Sequence, residues 1–423
     1  MSAASQAPRA VPRPVVLTGY GTVDASGCGK EALRRTFSAA PRLTEVDMAA
    51  GYHRTDASRH AALVDPASMS DWLAPRQARR MSPPSRFAVA ATRIAWQDAG
   101  LPIDDAEALQ ALGARTAVVS STAYGPSSFT ESLLRQILLG DPSQASPFLF
   151  TEAVANAPAA QVALLLKARG PNITVTQREA GPLMALAKAA AEIRRGRVDY
   201  AVVAAVDEAN PLLHAVLDRF GVLAGSRGRG EVARPFDAER RGFVLAEGST
   251  VCILEGADTA AARGARILGR VGPLIAGFDA GATPAGFGTG AEVLARRLKA
   301  GLERQGIAAD EIDLVVSGAA GGRTGDELEA GVLRRVWPES MPPVFAPKAY
   351  SGEHGGGLLA GLAAALDGFE VAPSPGFETF DPDLGVRPFA GGRLCPGRRV
   401  LAGAPAVGGS AAWLLVDTSE AGP

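Results

Sequence analysis

Glu179 stands where an α/β enzyme would place a nucleophile. It lies in the turn Gln177-Arg178-Glu179-Ala180-Gly181-Pro182, between a β-branched run and a helical repeat. The first turn of a helix offers unpaired N–H groups and the positive end of the dipole, so a side chain there can carry negative charge. Other reactive side chains are sparse. Cys28, Cys252 and Cys395 are odd in number and form no CxxC pair. That argues against a disulfide framework or a metal site such as zinc, and suits a reducing compartment. His53 and His60 fall in an irregular stretch, residues 40–80, and read as surface side chains.

The turn needs a strand before it and a helix after it. Residues 173–176 are β-branched and predict the strand. Leu183, Leu186, Ala190 and Ile193 recur at helical spacing, and Gly196 after Arg194 and Arg195 is a stop signal. Residues 200–206 form a short apolar run expected to be a buried strand. Further strands are predicted at 15–18, 116–120, 312–317 and 413–416. Ser85 is expected to cap a helix through Asp98, with Phe87, Ala91, Ile94 and Ala95 on one face. Ser128 and Glu131 have capping-box spacing for a helix to Leu139. On it Thr130, Leu134 and Leu138 share one face and Phe129, Leu133 and Ile137 an adjacent one. Residues 278–290 are rich in Gly, Thr and Pro and predict a long loop walling a cleft, followed by an amphipathic helix over 291–305.

The 423 residues exceed one ordinary domain and suit two halves around a shared core. A net charge of −1 gives no electrostatic case for nucleic acid or membrane. No run of about 18 apolar residues predicts a membrane span. Residues 1–13 lack an apolar segment and read as a disordered tail, not a signal peptide, so a cytoplasmic protein is expected.

Residues 170–176, Gly-Pro-Asn-Ile-Thr-Val-Thr, then the elbow, an Ala-rich helix and Arg-Gly-Arg-Val-Asp-Tyr-Ala-Val-Val-Ala resemble the elbow of β-ketoacyl synthases. Arg234-Pro235-Phe236-Asp237, Arg241-Gly242-Phe243-Val244 and Glu247-Gly248 resemble the family's following stretch; Asp237 and Glu247 read there as residues holding turns and ion pairs together. Arg241 replaces a usual acid. The resemblance spans residues 14–418. It implies an α/β, thiolase-like, five-layered αβαβα fold of two pseudo-repeated halves, residues 14–257 and 258–423, although no direct internal repeat is visible.

The same resemblance implies that the chemistry has been removed. Active members carry an acyl-accepting cysteine at the position of Glu179, and a glutamate cannot form the thioester. Gly318, in Val315-Val316-Ser317-Gly318-Ala319-Ala320-Gly321, replaces the first catalytic histidine, while Asp326 and Glu329 downstream are kept. Glu353, in Lys348-Ala349-Tyr350-Ser351-Gly352-Glu353, replaces the second, with Lys348 as a remnant. His354 is one position late and should project elsewhere. In the C-terminal glycine loop the gating phenylalanine becomes Val407 and the asparagine Ala411, with Gly408 and Gly409 kept.

Among non-condensing members the chain resembles the chain-length factor, or ketosynthase β subunit, of bacterial type II polyketide synthases. Those usually have glutamine in place of Glu179. The resemblance implies a heterodimer with a catalytic ketosynthase, an acyl carrier protein as second partner, and no cofactor beyond the carrier's phosphopantetheine. It implies a tunnel wall from Phe129, Thr130, Leu134 and Leu138, where the spacing alone reads equally as an ordinary core helix; Phe148 and Phe150 are either further wall residues or core aromatics. Asn172, Ile173, Thr174, Val175 and Thr176 would pair across the subunit axis. Ser-Pro-Phe-Leu-Phe and Val-Thr-Gln-Arg-Glu look more like partners in highly reducing, polyene-forming systems. A decarboxylase using Glu179, a pure scaffold and an acyl-storing binding protein are the alternatives.

Overall fold

Period-two alternation in Tyr200–Asp207 sets the layering. In the computed structural model, which describes residues 13–225, 230–395 and 397–419, Ala201, Val203 and Ala205 face one core, while Tyr200, Val202, Ala204 and Val206 face another. A strand buried on both faces needs helices above and below it. The first sheet consists of β1 (Val15–Asp24), β2 (Thr116–Ser121), β3 (Asn172–Val175), β4 (Tyr200–Asp207) and β5 (Gly248–Gly256). The second consists of β6 (Gly269–Phe278), β7 (Leu314–Ser317), β8 (Val344–Phe345), β9 (Arg399–Pro405) and β10 (Ser410–Asp417).

The spatial orders are β3-β2-β4-β5-β1 and β8-β7-β9-β10-β6, joined into one path by a short β1–β6 pairing. Each half has two parallel pairings followed by two antiparallel ones, in the same places. The pseudo-repeat absent from the side chains is therefore present in the hydrogen-bond ladder.

The helices that position the site are α1 (Pro83–Asp98), α2 (Ser127–Leu139), α3 (Pro147–Glu152), α4 (Ala157–Leu166), α5 (Gly181–Arg194), α6 (Pro211–Arg219), α7 (Ala291–Glu303), α8 (Arg323–Val336) and α9 (Gly355–Leu366). Leu183, Leu186 and Ile193 of α5 and Leu358, Leu359 and Leu362 of α9 share one core between the sheets. Helices α1 and α4 cover the outer face of the first sheet, and α7 and α8 that of the second. The result is five layers, αβαβα. Among the described residues no helix is long and apolar enough to cross a membrane.

Two caps differ from expectation. Ser82, not Ser85, precedes α1; Ser85 is buried inside the helix and donates to Glu152 Oε2 at 2.8 Å. The capping box at Ser128 and Glu131 does not form, and α2 has no side-chain cap of its own at Pro126. Residues 1–12 of the expected tail lie outside the described residues. Arg13, counted with that tail, belongs to the folded body, because it pairs with Asp199 at 2.8 Å and Asp258 at 2.6 Å.

Candidate functional site

The elbow forms where sequence places it. Strand β3 ends at Val175, α5 starts at Gly181, and Glu179 lies between them. A Cβ on Gly181 would stand 2.5 Å from Ser121 Oγ, so a side chain there would require that hydroxyl to turn aside. Glu179 Oε2 accepts the Val407 N–H at 3.2 Å, and its other oxygen lies 3.7 Å from the Arg178 guanidinium. Arg178 in turn lies over the Tyr124 ring at 5.5 Å. The carboxylate is thus satisfied by groups of its own chain, and it occupies the backbone donor on the facing glycine loop.

The other two positions converge on the same place. Gly318 follows β7, and a Cβ on it would stand 2.5 Å from Ala404 Cβ. Such contacts are sterically forbidden without movement of the neighbour. Its N–H donates to Glu329 Oε1 at 3.2 Å, which also takes the Ser317 hydroxyl at 2.6 Å. Burial and the nearby Asp326 push the Glu329 carboxyl up to about 8, and burial pushes Asp326 up to about 7. Asp326 accepts the Phe236 N–H at 2.9 Å, holding that buried phenylalanine at φ 62°, a conformation that bulky residues avoid.

Glu353 is locked by Lys348, whose Nζ lies 2.9 and 2.8 Å from its two oxygens. Burial pushes the Glu353 carboxyl up and the ammonium opposes that shift. His354 borders a small pocket with Glu179, Lys348 and Glu353. Its Nδ1 accepts the Gly356 N–H at 3.1 Å and so caps α9, and burial with the Lys348 charge pushes it down to about 3.

Glu179, Gly318 and Glu353 all line one cavity of about 590 Å³. Its walls include Leu213 and Val216 of α6 and Phe220 just after it, with Phe243, Phe287 and Val407. Ala285, Gly286 and Phe287 come from the 278–290 loop, so that loop does wall a cleft. Arg241 and Arg323 also line it. Asp237 and Glu247 tie distant segments instead of pairing with cations: Asp237 accepts the Glu239 N–H of its own turn and the Glu378 and Thr379 N–H groups, Glu247 accepts those of Val64 and Ala209, and neither makes an ion pair among the described residues.

Phe129, Thr130, Leu134, Leu138, Phe148 and Phe150 do not line this cavity. They lie on α2 and α3, where Phe129 and Phe148 meet edge to face at 5.8 Å. Leu134 is 48% exposed, Leu138 74% and Phe150 62%, so Phe148 and Phe150 are not core aromatics. Asn172, Ile173, Thr174 and Val175 form the edge strand of the first sheet, and Thr176 follows it.

The histidines at 53 and 60 are not free surface groups. His214 Nε2 lies 3.3 Å from the His60 carbonyl, and His53 Nε2 lies 3.0 Å from His214 Nδ1. His60 Nδ1 lies 2.8 Å from Glu231. A carbonyl only accepts, so His214 donates from Nε2 and takes the His53 proton donor at Nδ1. Residues that sequence reasoning missed include Tyr124, Arg178, Asp207 and Glu208. The signal available was two acids at the end of the apolar run 200–206.

A profile of the β-ketoacyl synthase N-terminal domain matches residues 13–260. A granaticin polyketide putative beta-ketoacyl synthase 1 of Streptomyces violaceoruber is 28% identical over 387 residues, covering 88% of this chain and 90% of the relative. A putative polyketide beta-ketoacyl synthase 2 of Streptomyces halstedii is 30% identical over 372 residues, covering 84% and 83%. Among solved structures, the ishigamide ketosynthase/chain length factor overlays with a TM-score of 0.81 at 28% identity, covering 96% of this chain and 99% of that one. The five layers are those of the thiolase-like fold. With well over half of its 423 residues inside the matched domain, this chain belongs to the β-ketoacyl synthase family.

Proposed function

We propose that this chain is the non-condensing, chain-length-determining subunit of a ketosynthase heterodimer in type II polyketide biosynthesis. The partner ketosynthase carries the cysteine and histidines. It performs decarboxylative Claisen condensation on thioesters held by the phosphopantetheine of an acyl carrier protein. This chain supplies part of the tunnel wall, from Phe129, Thr130, Leu134 and Leu138 with Phe148 and Phe150, and pairs with the partner through residues 172–176. The halves are residues 14–257 and 258–423, and the protein works in the cytoplasm. The Ser146-to-Phe150 and Val175-to-Glu179 elements favour a highly reducing, polyene-forming pathway.

The observation that carries this reading is the self-satisfied site. Glu179 is held by Val407, Gly318 has no space for a side chain, and Glu353 is neutralised by Lys348. The cavity that Glu179, Gly318 and Glu353 share is lined by no imidazole that could stabilise an enolate formed in it. The test is reconstitution with an intact ketosynthase and its acyl carrier protein. The pair should yield products of set length, and this chain alone should yield none. A covalent acyl adduct on the isolated chain, seen by mass spectrometry, would reject the reading; loss of CO2 from malonyl carrier protein, leaving acetyl carrier protein, would favour a decarboxylase.

A further inference from the structure

Asp207 and Glu208 are consecutive buried carboxylates at the C-terminal end of β4. They hold different elements. Asp207 Oδ1 accepts from the Thr122 hydroxyl at 2.8 Å, the Ala123 N–H at 2.7 Å and the Tyr124 N–H at 3.2 Å. Its Oδ2 accepts the Gly355 N–H at 2.7 Å. One carboxylate thus ties the segment leading into α2 to the first residue of α9, just after Glu353 and His354.

Glu208 grips α2 itself. Its Oε1 accepts the Ser127 hydroxyl at 2.8 Å and the Ser128 N–H, and its Oε2 accepts the Ser128 hydroxyl at 2.9 Å. Helix α2 lacks a cap of its own, so a carboxylate from another element fills that role, with the sign the helix dipole favours. No residue of α2 is buried. A helix without buried apolar anchors takes its position from its polar fixings. Besides Glu208, these include the Thr130 hydroxyl on the Ala153 carbonyl at 3.0 Å, the Ser146 N–H on Gln136 Oε1 at 2.8 Å, and Tyr52 with Glu131 and Arg135.

We propose that Glu208, steadied by Asp207, is a positioning residue for product length. It sets the axial position of α2, and hence where Thr130, Leu134 and Leu138 stand relative to the vestigial site, without touching substrate. A slip of about 3 Å, two residues of helical rise, is comparable to one two-carbon step of an extended chain. The inference rests on α2 being a tunnel wall.

The test uses the full chain reconstituted with its ketosynthase and acyl carrier protein, comparing Glu208→Ala, Glu208→Gln, a Ser127→Ala/Ser128→Ala double variant and Leu134→Ala. Glu208→Ala and the serine double variant should broaden or shift products by at least one two-carbon unit. Their α2 amides should exchange about tenfold faster or more, with total condensation unchanged. Glu208→Gln keeps an acceptor for Ser128 and should retain the original length. Should Glu208→Ala fail to assemble, the double variant, which leaves both carboxylates in place, decides by the same readouts. Unchanged length in these variants while Leu134→Ala alters it overturns the positioning role only. Unchanged length with Leu134→Ala as well removes α2 from the tunnel, and the proposal with it.

Discussion

At Gly318 the missing imidazole is a question of space before it is one of chemistry. Ala404 Cβ stands where a side chain would begin, and the Gly403 carbonyl is 3.2 Å away. Glu179→Cys, alone or with Glu353→His, is therefore expected to form no carbon–carbon bond in the isolated chain. Mass spectrometry of carrier-bound products would detect one. Gly318→Ala should cost about 1–3 kcal/mol, and adding Ala404→Gly should recover most of it, read by urea denaturation. Glu329 gives a pH prediction. Its carboxyl is raised on folding from 4.5 to about 8, so its contribution is full below about pH 4.5, falls as pH rises, and is gone above about 8. From about pH 5 to 8 the native chain should lose stability through this group, with the loss levelling off above about 8. Glu329→Gln, which imitates the neutral acid, should lose less; equal slopes for the two proteins would reject this.

Helix α2 shows what a one-dimensional pattern can and cannot supply. Its length to Leu139 and its faces follow from the spacing of Thr130, Leu134 and Leu138. Its cap does not, because Glu208 competes successfully for the Ser128 N–H from 80 residues away. Leu134 is half exposed in the single chain. Leu134→Ala should then cost only about 1 kcal/mol of stability, less than truncation in a packed core. In a reconstituted pair that variant should lengthen products, and Thr130→Trp should shorten them. Wild-type product lengths from both variants in intact, active heterodimers would make α2 ordinary packing.

The whole molecule has an unfinished edge. Strand β3 is hydrogen-bonded to β2 on one side and ends the sheet on the other. Exposed Leu134, Leu138, Leu139, Phe148 and Phe150 belong to the helices that follow β2. Open sheet edges and apolar patches of this kind promote association. Expressed alone, the chain should self-associate. With the ketosynthase it should form a one-to-one pair burying on the order of 2,000 Å². Light scattering would show both states, and a stable monomer indifferent to the ketosynthase would contradict the pairing.

By itself the sequence located the elbow and, through the family resemblance, marked Glu179, Gly318 and Glu353 as the positions where a condensing enzyme would carry its cysteine and histidines. The elbow, the glycine at 318 and the glutamate at 353 are local patterns, and each reads from its neighbours along the chain. Most strands were legible for the same reason, since apolar period and β-branching are local properties. Only the tertiary structure decided how the vacated positions are satisfied. Glu179 meets a backbone N–H 228 residues away, and a contact of that range depends on how the two sheets stack. The same holds for the histidine relay, whose members come from a loop and from α6, and for the Asp207–Glu208 clamp, whose partners come from α2 and α9. The two halves became recognisable as repeats only in three dimensions. Their likeness lies in the order and sense of strand pairing, which backbone hydrogen bonds preserve while side chains diverge.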